Sequence, residues 1–323
     1  MTVTGDWTGF SGIFDVLGGV CVFRGSLAPN AGFVGANGNS EVHGEGEITS
    51  RLLVQQLLSV LTDGSLRLTG AEKRNFGLFE APATTSMIIE HVTIMQDGNG
   101  PFGTVRADGG TVTLGEDALI TDGTIEAING GAIEVTGHTT VRDLAMAGSV
   151  DRRAGGQLTL EQSDWTMSSA DEFVVTLDAT DSAPAGSPGV AATSAGAGTV
   201  SLAGTLRVRF ADGFTPVFGQ RFTLIGGAIP GDLTITGEFD TFELPELGLG
   251  VVRAAVSGSR VEVITTCTAD LAAPFGVLDE ADVIAQIIGL EEGHPDSDFA
   301  PPMGTFDIFD LLAYLDLTSA GCQ

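Results

Sequence analysis

Six aspartates near the C-terminus form the most specific pattern of chemically capable residues in the chain. DLAAPFGVLDEAD, beginning at Asp270, returns 28 residues later as DFAPPMGTFDIFD, beginning at Asp298. Asp270/Asp298, Asp279/Asp307 and Asp282/Asp310 thereby coincide. A duplicated acidic segment invites a calcium reading, because a twelve-residue calcium loop takes oxygen ligands from positions 1, 3, 5, 9 and 12 around a glycine at position 6. With Gly276 and Gly304 as that glycine, Asp279/Asp307 fall at position 9 and Asp282/Asp310 at position 12. Positions 3 and 5 are Ala273/Pro301 and Phe275/Met303, which offer no side-chain oxygen, and Asp270/Asp298 arrive one residue early. The alternative chemistry is capping. Asp279 and Asp307 would cap helices over 283–290 and 311–317, with Asp282 and Asp310 placed favourably in the first turn. Capping is favoured, and Ca2+ is kept as the other reading of these six carboxylates.

A second group mixes charges: Asp122, Arg142, Asp143, Asp151, Arg152 and Arg153. Acids and a base converging from neighbouring segments would suit a polysaccharide lyase or hydrolase. The same residues lie beside turn formers, where solvated ion pairs are common, and no catalytic role is assigned to them. Histidines 43, 91, 138 and 294 are scattered without an H-E-x-x-H spacing, and neither G-x-S-x-G nor G-x-x-x-x-G-K-[ST] occurs. Trp7, Trp165 and Tyr314 are too dispersed to predict an aromatic ligand groove.

What must position these residues is a strand-rich scaffold. Between 103 and 165, short alternations such as T-V-T-L at 111–114, A-I-E-V at 132–135 and Q-L-T-L at 157–160 are cut by Gly, Asn and Asp. Alternation places Val112, Leu114, Ile133 and Val135 on one face of their strands. Gly-Gly pairs at Gly109, Gly130 and Gly155, spaced 21 and 25 residues apart, match one coil of a parallel β-solenoid. The run SRLLVQQLLSVL at 50–61 predicts a helix with Leu53, Leu57 and Leu61 on one side, or else a pair of buried strands. Residues 1–49 read as loose Gly-rich strands, either first coils or a cap.

Composition limits the partners. The net charge is −28, from 42 acidic against 14 basic residues, and Lys73 is the sole lysine. Such a surface repels nucleic acid and anionic lipid. No run of 18 apolar residues predicts a membrane span. The opening MTVTGDWTGF lacks the basic start and apolar core of an export signal, although the composition looks exported. The expectation is therefore that Met1 is not the natural beginning or that an upstream segment is missing. Cys21, Cys267 and Cys322 make an odd count, and the last two bracket the tail as a disulfide would. Closing that loop contributes on the order of 4 kcal/mol in the loop-entropy account. Cys21 reads as a buried thiol.

Two resemblances extend this reading. Gly204, Leu206, Val208, Phe214, Pro216, Gly219, Phe222, Leu224, Gly237, Phe239, Val261 and Val263 follow the order G-x-L-x-V, F-x-P-x-x-G-x-x-F-x-L, G-x-F, V-x-V. This resembles the strand-rich segment that closes autotransporter-like bacterial surface repeat proteins. The duplicated tail, beginning at Cys267 and ending in Gly321-Cys322, resembles a GC-type dockerin-like module. That resemblance implies an extracellular or cell-surface protein docked through its tail. The expected fold is all-β: a right-handed parallel β-helix with a sandwich-like β segment and a small α-helical dockerin-like module. The parts are residues 1–49 (N-terminal strands or cap), 50–167 (solenoid), 168–266 (autotransporter-like segment) and 267–323 (dockerin-like module). The expected function is structural or adhesive, with a docking protein reached through 267–323 and an extracellular glycan as further partner. The alternative is a carbohydrate-active β-helix.

Overall fold

The computed structural model describes residues 41–49, 51–54, 58–96, 103–181, 190–192, 198–227, 233–247, 250–257, 259–272, 278–301 and 303–319, and the backbone of earlier strands within 2–40. Strands dominate, at 54% of the chain against 12% helix. They form two long sheets, of 18 and 12 strands among the described residues, and nearly all pairings are parallel. This arrangement is consistent with a β-helix.

Through the middle of the chain each pass contributes three strands. Thr104–Asp108 and Thr111–Leu114 join the larger sheet, and Ala118–Thr121 joins the smaller. The next pass repeats them as Thr124–Ile128, Ala132–Val135 and His138–Arg142. Registers match residue for residue, with Val105 beside Ile125, Val112 beside Ile133 and Leu114 beside Val135. Period-two alternation therefore stacks apolar side chains into continuous inward rows. The four residues expected to point inward, Val112, Leu114, Ile133 and Val135, are all fully buried. Trp165 lies in the same core, its ring edge-on to Phe173 at 5.1 Å and its indole N–H donated to the Gly148 carbonyl.

The glycine repeat is real but its register differs from the sequence reading. Gly109 and Gly130 turn the chain between the first and second strands of successive passes. The residue that follows them at this corner is Gly148, at φ +95°, and not Gly155. A Cβ at Gly131 would lie 2.3 Å from the Ala107 carbonyl oxygen, and one at Gly148 2.3 Å from that of Ala127. Backbones of adjacent passes meet here too closely for a side chain. Gly155-Gly156 serves the next corner, between Val150–Arg152 and Gln157–Glu161.

Of the two readings of 50–61, the pair of strands holds and the helix does not: Leu52–Val54 and Leu58–Leu68 are each paired in parallel with their neighbours. The sandwich expected after 168 is corrected. Glu172–Leu177 pairs in parallel with Val150–Arg152 on one side and Thr205–Phe210 on the other. Among the strands of the described residues, the direction reverses at the end of the smaller sheet, where Arg260–Cys267 runs antiparallel to both Arg221–Gly227 and Gly250–Ser257. The strands of 1–49 join the same sheets, Gly19–Leu27 pairing in parallel with Ser40–Ile48.

The tail is helical. α1 (Glu280–Glu292) and α2 (Ile308–Ser319) extend the two expected helices back to their aspartate caps. Their small core gathers Cys267, Ala269 and Tyr314, with Leu271, Leu278, Val283, Phe299, Leu311 and Leu317 packed around it. Among the described residues no helix is long and apolar enough to cross a membrane.

Candidate functional site

The duplicated tail repeats its hydrogen bonds as faithfully as its letters. Asp282 Oδ1 accepts the N–H groups of Leu271 and Ala272 at 2.7 and 2.8 Å, and its Oδ2 accepts that of Asp279 at 2.9 Å. Asp310 Oδ1 accepts those of Phe299 and Ala300 at 2.8 and 2.7 Å, and its Oδ2 that of Asp307 at 2.8 Å. Both carboxylates are buried. One residue type at one spacing thus pins the preceding loop and the helix start together in each half. The N–H of Asp307 leads the donors that hold the Asp310 carboxyl below its ordinary value, against burial, with Ala300 and Phe299 adding to it. Asp279 completes a capping box on α1, accepting from Ala281 N–H at 2.8 Å, and Asp307 accepts from Phe309 N–H at 2.7 Å.

The remaining pair, Asp270 and Asp298, also belongs to this framework. Asp270 is buried, and Asp298 accepts from the N–H of Gly304. Burial and the nearby Asp282, Asp270 and Asp279 push the Tyr314 hydroxyl up to about 12. Among the described residues no three His, Cys, Asp or Glu side chains gather in a way that could hold a metal ion. The capping geometry accounts for Asp279, Asp282, Asp307 and Asp310 without one. Cys267 is disulfide-bonded, while Cys322, its expected partner, lies outside the described residues, as do Trp7 and the side chain of Cys21.

The outer faces of these helices are apolar. Ile284 is 56% exposed, Ile308 60% and Phe309 62%, and Ile287, Ile288, Leu312 and Leu315 are also exposed. A shallow cleft of about 290 Å³ runs between the helices, lined by Ile287, Leu290, Ile308 and Leu311 with Glu291 and Asp307 at its rim. No lysine or arginine occurs from 267 to 323. An apolar face with an exclusively acidic border suits contact with a partner better than contact with water. The duplication is legible in the sequence but this face is not, because helical spacing does not tell which apolar side a neighbour covers.

The charged group of the scaffold is dispersed by the structure. Asp122 and Asp143 occupy left-handed turn positions, at φ 63° and 53°, in successive passes. Their backbone N–H groups donate to the carbonyls of Arg142 and Glu161. Arg142 pairs with Glu161 one pass further on, at 2.5 Å. Arg152 points inward, in the row between Val135 and Val175. There it donates to Asp181 and to the carbonyls of Gly156 and Thr176, with both charged groups almost wholly buried. Arg153 bridges Glu134 at 2.5 Å and Asp151 at 3.2 Å. Asp151 lines a surface depression together with Glu172, Arg207 and Arg209, three residues the sequence did not single out. Trp165 and Tyr314 are core residues.

Comparison with protein families, curated proteins and solved structures finds no match to this chain.

Proposed function

We propose that the chain is an exported structural or adhesive surface protein. In this reading its two parallel sheets close into a right-handed β-solenoid, and its tail, residues 267–323, docks it to a partner at the cell surface. The observation that carries the proposal is the apolar outer face of α1 and α2. Of the large exposed hydrophobic side chains among the described residues, all except Val217, Phe218 and Phe242 lie between Ile284 and Leu315. The occupant that fits is a partner protein offering an apolar groove with a cationic rim, since every formally charged side chain of the tail is acidic. The disulfide at Cys267 supports an oxidising compartment, as an exported chain would meet. The resemblance of the duplicated tail to a dockerin-like module points the same way.

Fractionation of the cells that make the protein tests this. The full chain should remain with the envelope. A chain ending at 266, or the double variant I308D/L312D at two exposed positions, should be released into the medium. Equal retention of all three would overturn docking through the tail.

A further inference from the structure

The depression on the larger sheet is built by the register of four passes. Glu134, Asp151, Val174 and Arg207 follow one another in a single outward row, partner beside partner. Strands in a sheet are about 4.8 Å apart, so Asp151 and Arg207 stand roughly 10 Å apart, with the short side chain of Val174 between them. That shortfall is the floor of a hollow of about 400 Å³, walled by Glu172 and Arg209. Arg207 is committed to its neighbours, holding Glu172 at 3.0 and 3.3 Å and Glu243 at 2.5 Å.

Two groups in the hollow have hydrogen-bonding capacity left over. Asp151 is 19% exposed, yet its Oδ1 is buried without a hydrogen bond, while its Oδ2 meets Arg153. Burial, with Glu134 adding to it, raises its carboxyl above the ordinary value, against the pull of Arg153 and Arg209. Arg209 forms no hydrogen bond or ion pair with any described residue, although acids outnumber bases 42 to 14 in this chain. An exposed guanidinium without a hydrogen bond to a described residue, beside an aspartate that is short of donors, suits a ligand that brings both a carboxylate and hydroxyl donors.

We infer that this hollow binds an acidic saccharide of the uronic acid type, whose carboxylate is taken by Arg209 and whose ring hydroxyls donate to Asp151 and Glu172. An acidic peptide satisfies Arg209 equally well but supplies no hydroxyls to the two carboxylates, and its other acids meet Glu134 and Glu172. The saccharide is therefore favoured. The inference rests on the reading of the stacked sheets as a display surface.

Titration of the full chain with a tetramer of galacturonic acid, followed by calorimetry, tests it. Saturable binding that weakens with salt is expected. R209M should weaken it about tenfold and R209K by less, because lysine keeps the charge without the fork. R260M, on the outer hairpin, should bind as the unmodified chain does. Arg209 is exposed, so R209M should retain its circular dichroism. No saturable binding, equal binding by R209M, equal binding of a neutral galactose tetramer, or equal binding of tetraglutamate would each overturn the proposal. I308D/L312D should bind the tetramer normally. Loss of saccharide binding with docking intact therefore refutes the hollow alone, and loss of docking with saccharide binding intact refutes the tail alone.

Discussion

Lys73, the only lysine in the chain, is fully buried in strand Lys73–Asn75, its ammonium donating to the carbonyls of Thr69 and Ala71. Burial pushes it down to about 7, whereas an unfolded lysine titrates near 10.4. Between these values the unfolded chain binds more protons than the folded one, so stability rises with pH across this window. The unfolding free energy of the wild type, from urea titration, should climb from pH 7 to pH 9.5 by about 1.4 kcal/mol per unit at the steepest. In K73M that slope should vanish, and an unchanged slope would refute the assignment. Arg152 raises a related matter. Its place in an apolar row is sustained by Asp181, 29 residues further on, and breaking a buried ion pair of this kind costs about 3–5 kcal/mol. Neither inward cation was legible in the sequence. Alternation alone marks Arg152 as one more polar residue beside a turn, and its partner is fixed by a fold that composition does not encode. The caps were legible, because an aspartate three residues inside another at a helix start is a local signal.

At the scale of elements, Asp282 and Asp310 each tie a loop to a helix through three backbone N–H groups. Replacing Asp310 by alanine orphans three part-buried donors, and a loss of about 1–3 kcal/mol is expected, read as a lower urea midpoint for the helical signal at 222 nm. Because the folded Asp310 carboxyl titrates below its ordinary value, its contribution is present above about pH 4 and disappears as the pH falls below that. D310N should flatten this acid response, and an acid midpoint shared by D310N and the wild type would remove Asp310 from the account. The helical alternative at 50–61 failed for a reason of long range. Leu53, Leu57 and Leu61 satisfy a helical stripe, yet the same run supplies the inward residues Leu52, Val54 and Val60 of strands whose partners lie some twenty residues away. The Gly155 slip has the same origin, since the glycine pair sits at the first corner in two passes and at the second corner in the next, and spacing alone does not distinguish them. The charges around Asp151 escaped notice because Arg207 reaches Glu172, 35 residues away in sequence, only through the pairing of Glu172–Leu177 with Thr205–Phe210.

At the scale of the molecule, parallel pairing recruits strand after strand, and nothing within a repeating pass tells it to stop. The smaller sheet ends otherwise, with Arg260–Cys267 laid antiparallel on Arg221–Gly227 and Gly250–Ser257 outermost. Reversal of direction acts as a stopper, because a second copy arriving in the same orientation finds no matching template at that face. A chain cut after 249 should polymerise into fibres visible by electron microscopy, whereas one ending at 266 should stay monodisperse. Fibres from neither would mean that this hairpin does not hold an otherwise open-ended stack to a single molecule.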